Sequence, residues 1–137
     1  TKNSIFRLNQ IFGIEQRWES VSERNKDSNR YVVRHLPSKL LLLNKLGIKE
    51  IKEDTIKPFM DKLAPLEHNR WSAEKIMAGF NFGEIPSNDK KVKDILKGTL
   101  KIHNQLKRYH LLDEVNKDKD LDVFLIIPLL IKVKENL

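Results

Sequence analysis

The chain has no cysteine in its 137 residues. That single absence removes disulfides, thiolate nucleophiles and thiolate metal sites together, and makes the reducing cytoplasm the expected setting. Long apolar runs are missing as well. The longest, Val123 to Ile131, contains Pro128 and falls far short of the roughly 20 residues needed to span a bilayer, so direct membrane insertion is not expected. The first residues mix polar and apolar types without a continuous hydrophobic segment, which is not the pattern of a secretory signal. Because it opens on Thr1, the sequence reads as a fragment or processed chain, and any membrane anchor of a parent protein would lie elsewhere. Glycine and proline are scarce at 5 each, and the elements are expected to end at a few of these breakers. The length suits one domain with a real core but not two independent ones.

What is abundant is positive charge, with a net +7 and an isoelectric point near 9.6. Anionic partners are therefore favoured, with nucleotides, nucleic acid and acidic proteins all eligible. Residues 85 to 110 hold seven Lys or Arg against Asp89 and Asp94, whereas residues 111 to 122 are mostly acidic. The basic stretch lacks interleaved aromatics for base stacking, so it reads as a patterned, solvated surface and polynucleotide binding is not expected.

The centre of the chain is Leu66 to Gly83. Upstream and through it, Phe59, Leu63, Leu66, Ala73 and Met77 recur at three- and four-residue steps, which predicts one apolar face of a helix. Arg70 falls in the middle of that stripe, with Glu67 three residues before it and Glu74 four after, both within reach of its guanidinium. A charge on a buried face is costly unless paired. Arg70 is thus either an internal ion-pair anchor or a group held so that its remaining donors face a cleft. By the same period Trp71 lies about a quarter-turn round from Arg70 and His68 nearly opposite, so one pocket can use them all only if other elements pack on both flanks. Trp71 is either core or a stacking platform. Gly79 and Gly83 should stop the helix, with Phe80 and Phe82 alternating along a short extended segment.

Elsewhere, Ile5, Phe6, Leu8, Ile11 and Phe12 suffice for a short strand or turn of helix. From Trp18 the spacing predicts a long helix bent near Pro37 and ended by Gly47, with Asn29 interrupting its leucine-rich side. Ile48 to Lys57 reads as a connection. Pro65 requires that the central helix either begin near it or kink there. Residues 85 to 91 form a turn-rich loop, and Val92, Ile95 and Leu96 suggest a single helical turn. Asp113 or Asn116 would cap a last helix broken at Pro128, with a second short helix after it.

The residues Glu67, His68, Arg70 and Trp71, followed by Gly79, Phe80, Phe82 and Gly83, resemble the ryanodine-receptor repeat, or RyR domain. In that family a helix with a Glu-His-x-Arg-Trp signature runs into Gly-Trp/Phe-x-Tyr/Phe-Gly. The similarity continues through His103, Leu106, Tyr109 and Leu112 to Lys117-Asp118-Lys119-Asp120 and Ile127-Pro128, and more weakly covers Ser28-Asn29-Arg30 to Leu46-Gly47. Departures are Phe80 for the frequent Trp, Phe82 for the frequent Tyr, which removes a hydroxyl, and Asn104 for the frequent Pro. At His103 to Leu112 the match implies loop with short extended pieces. Overall it implies a small, mainly α, compact module of a larger protein, made of antiparallel helix pairs with short β segments. An N-terminal helical segment (1–57) would pack on the repeat (58–137). Such modules in prokaryotes stand beside signalling or nucleotide-sensing domains.

Several chemistries fail on spacing. Asp118, Asp120 and Asp122 imitate a calcium loop, but Val123 and Leu129 stand where Gly and Glu are required. Gly79 and Gly83 follow a helix and lack a Lys-Ser/Thr partner, so they are no phosphate cradle. His68, His103 and His110 share no ligand spacing, and no metal or cofactor is expected. No serine has a nucleophile-elbow context, and His68 and Glu67 point about 100° apart, so no catalytic residue is assigned. The reading that results is a non-catalytic module binding a small anionic, nucleotide-like ligand through Asn29, Arg30, Glu67, His68, Arg70, Trp71 and Tyr109. Its alternative is a protein-interaction or oligomerisation module in which those residues only hold helices together.

Overall fold

The computed structural model describes residues 18–136; the element expected from Ile5 to Phe12 lies outside them. The protein is mainly α, with two very short strands among the described residues. Its chain divides into two units, one formed by residues up to Pro58 together with those from Val123 onward, the other by Phe59 to Asp122. The tail from Val123, expected with the repeat, belongs to the first unit instead.

In the first unit, α1 (Glu23–Arg34) starts at Ser22, whose hydroxyl accepts from the Asn25 amide at 3.3 Å. The helix stops at His35, and α2 (Leu36–Lys45) begins with Pro37 in its first turn. The expected bent helix is therefore two helices. Proline carries no amide and crowds the turn before it, so a new first turn is the least costly place for it. Helix α2 ends in a left-handed Gly47 (φ 79°), where the Ile48 amide donates back to the Leu43 carbonyl at 3.1 Å and both side chains are buried. This is a Schellman ending with its apolar contact. The expected linker contains a further turn, α3 (Glu53–Ile56), because Thr55 Oγ accepts from the Lys52 amide at 2.9 Å and Ile56 is buried. Leu43, Ile48, Ile56, Phe124 and Ile127 form the unit's core. Lys39, 2% exposed, lies among them, with Nζ 3.1 Å from His35 Nδ1 and 5.7 Å from the centre of the Phe124 ring.

In the second unit, α4 (Met60–Met77) continues through Pro65 rather than beginning at it. A short 3₁₀ turn, Lys57–Phe59, precedes it. The buried side of α4 is rotated from the predicted one: Leu63 is fully buried as expected, but Leu66 and Ala73 are exposed and Met77 is 89% exposed. The inward face is Leu63, Ala64, Glu67, His68 and Lys75, with Arg70, Trp71 and Glu74 partly covered. These positions keep the helical period, but most are polar, so an apolar count selects a neighbouring stripe.

Helix α4 ends in a left-handed Gly79 (φ 88°), where the Phe80 amide donates to the Lys75 carbonyl at 2.9 Å. Any side chain at that φ is strained, and Gly79→Ala is expected to cost about 1 to 2 kcal/mol in urea unfolding. A loss below a few tenths would show that this turn is not held in place.

The chain then forms β1 (Asn81–Phe82), α5 (Lys90–Leu100) and β2 (Ile102–His103). The two strands pair in parallel, Asn81 opposite Ile102 and Phe82 opposite His103. Gly83 permits this closeness, because a Cβ there would meet Ile102 Cβ at 3.1 Å. Helix α5, three turns rather than one, is capped by Asp89, which accepts from the Val92 amide at 3.0 Å. Beyond β2 the expected loop holds a 3₁₀ turn, Tyr109–Leu111. Helix α6 (Glu114–Leu125) opens on Asp113, which accepts from the Asn116 amide at 2.8 Å. It stops before Pro128, which lies in the first turn of α7 (Ile127–Glu135).

Candidate functional site

The second unit gathers Glu67, His68, Arg70, Trp71 and Tyr109. Asn29 and Arg30 belong to α1 of the first unit. Asn29 is exposed there rather than set among leucines, and Arg30 is an exposed partner of Asp27 (2.6 Å) and Glu23 (3.6 Å).

Arg70 is held by the two carboxylates its spacing selected. Its Nε donates to Glu67 Oε1 at 2.8 Å, Nη2 lies 2.8 Å from the same oxygen, and Nη1 donates to Glu74 Oε2 at 3.0 Å. The side chain is 12% exposed and that of Glu67 2%. Burial works against the charge most strongly, but the bonds and charges of Glu67 and Glu74 outweigh it and hold the Arg70 pKa above its ordinary value. All three guanidinium nitrogens meet carboxylates of the same helix, two of them through hydrogen bonds, the arrangement of an anchor.

His68 is gripped from two other elements. Its Nε2 is 2.7 Å from the Lys107 carbonyl, and Nδ1 is 3.2 Å from Asp120 Oδ2 on α6. A carbonyl can only accept, so Nε2 carries a proton. The Asp120 oxygen has no hydrogen bond of good geometry, so its contact with Nδ1 is chiefly an ion pair, and it too calls for a proton there. Burial is the largest influence and disfavours the charged ring. Asp120 and the Lys107 carbonyl together prevail, and the pKa rises above that of ordinary histidine. His68 is thus an imidazolium over a wider pH range than usual.

Rings surround it. Trp71, one helical turn on, stacks on His68 at 5.5 Å with 25° between planes, and Tyr109 is 6.2 Å away. The sequence period had set His68 and Trp71 on different sides relative to Arg70, yet three residues apart they share a face. His103, delivered by β2, meets Trp71 edge-on at 4.8 Å, and its Nδ1 accepts from the Gln105 amide at 3.2 Å. Lysines approach the cluster: Lys75 lies 6.0 Å from the Trp71 ring and Lys117 5.8 Å from that of Tyr109. Trp71, His103 and Tyr109 are each partly exposed.

Sequence reasoning missed Asp120, Lys75, His103 and the Lys107 carbonyl as parts of this constellation. Asp120 had entered only as a failed calcium ligand and as part of the Lys117 to Asp120 stretch of the resemblance. Its signal was its place on α6 beside Leu121 and four residues before Phe124, both buried. Among the described residues no group of three or more His, Asp or Glu side chains is arranged to hold a metal, and no helix is long and apolar enough to cross a membrane.

The class these observations define is a mainly α domain carrying a buried, charge-paired polar helix face. Comparison with protein-family models, curated proteins and solved structures gave no match.

Proposed function

We propose that this chain is a non-catalytic, RyR-like module of a larger cytoplasmic protein, of the signalling kind, that binds a small anionic, nucleotide-like ligand. The observation that carries the reading is the partly exposed ring cluster of Trp71, His103 and Tyr109 built against a cationic His68. A flat heterocycle stacks on such rings, and Lys117, whose partner Glu114 is 85% exposed, can exchange that ion pair for a phosphate. Arg70 then acts indirectly, fixing the helix that presents Trp71. Thermal-shift screening against nucleoside mono-, di- and cyclic phosphates tests this. A shift that Trp71→Leu removes in a still-folded protein is expected, and a flat screen of the wild-type chain would end the proposal.

A second reading, a protein-interaction module without a small ligand, is favoured by the first unit. There Leu36 and Leu40 of α2 and Ile127, Leu130 and Ile131 of α7 line an apolar groove of about 500 Å³. A flat nucleotide screen with capture of a protein partner that Leu40→Asp abolishes would support it.

A further inference from the structure

Helix α5 buries none of its residues. Val92, Ile95, Leu96 and Leu100 span about two fifths of its circumference by the 3.6-residue period; Leu96 is half-covered, yet Ile95 is 66% exposed and Val92 and Leu100 are also open to solvent. Lys91 lies on one border of this stripe and Lys93 on the other, with Lys90 and Lys97 behind. A helix whose apolar face is left uncovered between lysines calls for a partner that is itself apolar along its middle and acidic along its sides.

The same unit carries such a surface. On α6, Glu114, Val115, Asp118, Lys119 and Asp122 share the outward face, and Val115 is 68% exposed. Leu111, in the 3₁₀ turn before it, is also exposed. This face has three carboxylates against one lysine, with Lys117 at its edge 3.0 Å from Glu114, and an apolar centre, which complements α5 in both respects. We infer that the second unit associates with a second copy of this chain, the basic apolar face of α5 on one copy meeting the acidic face of α6 on the other. Because every copy owns both faces, the contact is made twice in a two-fold pair or passed on from copy to copy, and the concentration series tells the two apart. An anionic bilayer is the weaker fit. Residues 90–101 hold no aromatic anchor, and three turns of Val, Ile and Leu offer little depth of insertion.

Sedimentation velocity of the whole chain over a concentration series is the test. Self-association is expected, weakening as salt screens the facing charges. Ile95→Asp should raise the dissociation constant by about tenfold or more, and Lys91→Glu with Lys93→Glu by about tenfold. The decisive variant adds Glu114→Lys and Asp118→Lys to that reversed α5. With both faces inverted, charge complementarity returns and association should recover to within about threefold of wild type. A wild-type chain that stays monomeric throughout overturns the inference. So does a fourfold variant no better than the α5 double, or a monomer that instead co-sediments with phosphatidylglycerol vesicles through Ile95. Circular dichroism confirms that each variant remains helical.

Discussion

Arg70→Met is expected to cost about 3 kcal/mol or more of stability in urea unfolding. The methionine fills similar space but withdraws a guanidinium whose Nε and Nη2 meet Glu67 and whose Nη1 meets Glu74. Two carboxylates of one sign, two turns apart and with side chains only 2% and 9% exposed, would then lose the cation between them, with Lys75, 3.6 Å from Glu74, a partial offset. Adding Glu67→Gln and Glu74→Gln should recover much of the loss, since neutral amides have no counterion to miss. Arg70→Lys should not, because one ammonium lacks the fork that spans both partners. A loss under about 1 kcal/mol for Arg70→Met would mean that the ion pairs contribute no more than exposed ones do. A pure ligand contact would give the opposite pattern, lost binding at nearly unchanged stability.

The second large effect is a pH dependence centred on His68. Its folded pKa lies above the unfolded value near 6.5, the Asp120 and Lys107 contacts having overcome burial. A group shifted in that direction stabilises the fold fully below the unfolded pKa, and the contribution disappears as pH rises through the folded pKa. His68→Gln should therefore destabilise by about 2 kcal/mol in mild acid, where it removes a charged pair, and by less in alkali. Asp120→Asn should move the His68 pKa down, because the remaining carbonyl contact must oppose desolvation without the carboxylate. Tyr109 does not compete in this range: burial, with smaller help from nearby carboxylates and against Lys117, raises its own pKa above the ordinary phenol value. The titration of the His68 ring by NMR reads the result directly. A midpoint at or below that of free histidine would refute the imidazolium.

Helical character could be read from the chain because it depends on local rules. Asp113 caps a helix with its own side chain, and Gly47 and Gly79 end helices where only glycine takes the left-handed turn without strain, as expected; Ser22 and Asp89 cap by the same rule but were not among the expected caps. The Arg70 pairs were equally local, since residues three and four apart on a helix must be neighbours. Proline was the harder signal. Pro37 and Pro128 start new helices while Pro65 sits inside one, and the same residue type permits all three.

By itself, then, the sequence determined the mainly α class, the ends of several helices and the clasp of Arg70 by Glu67 and Glu74. Each follows from bonds and sterics within about one turn of chain. Only the tertiary structure decided which face of α4 turns inward, that Asn29 stays outside, and that Asp120, Lys107 and His103 converge on His68 and Trp71. Those partners lie tens of residues away in the chain, and a helix period gives the spacing of a face but not its direction. Direction is set by partners on other elements, and here His68 meets the Lys107 carbonyl and Asp120 on the side that leaves Met77 in solvent.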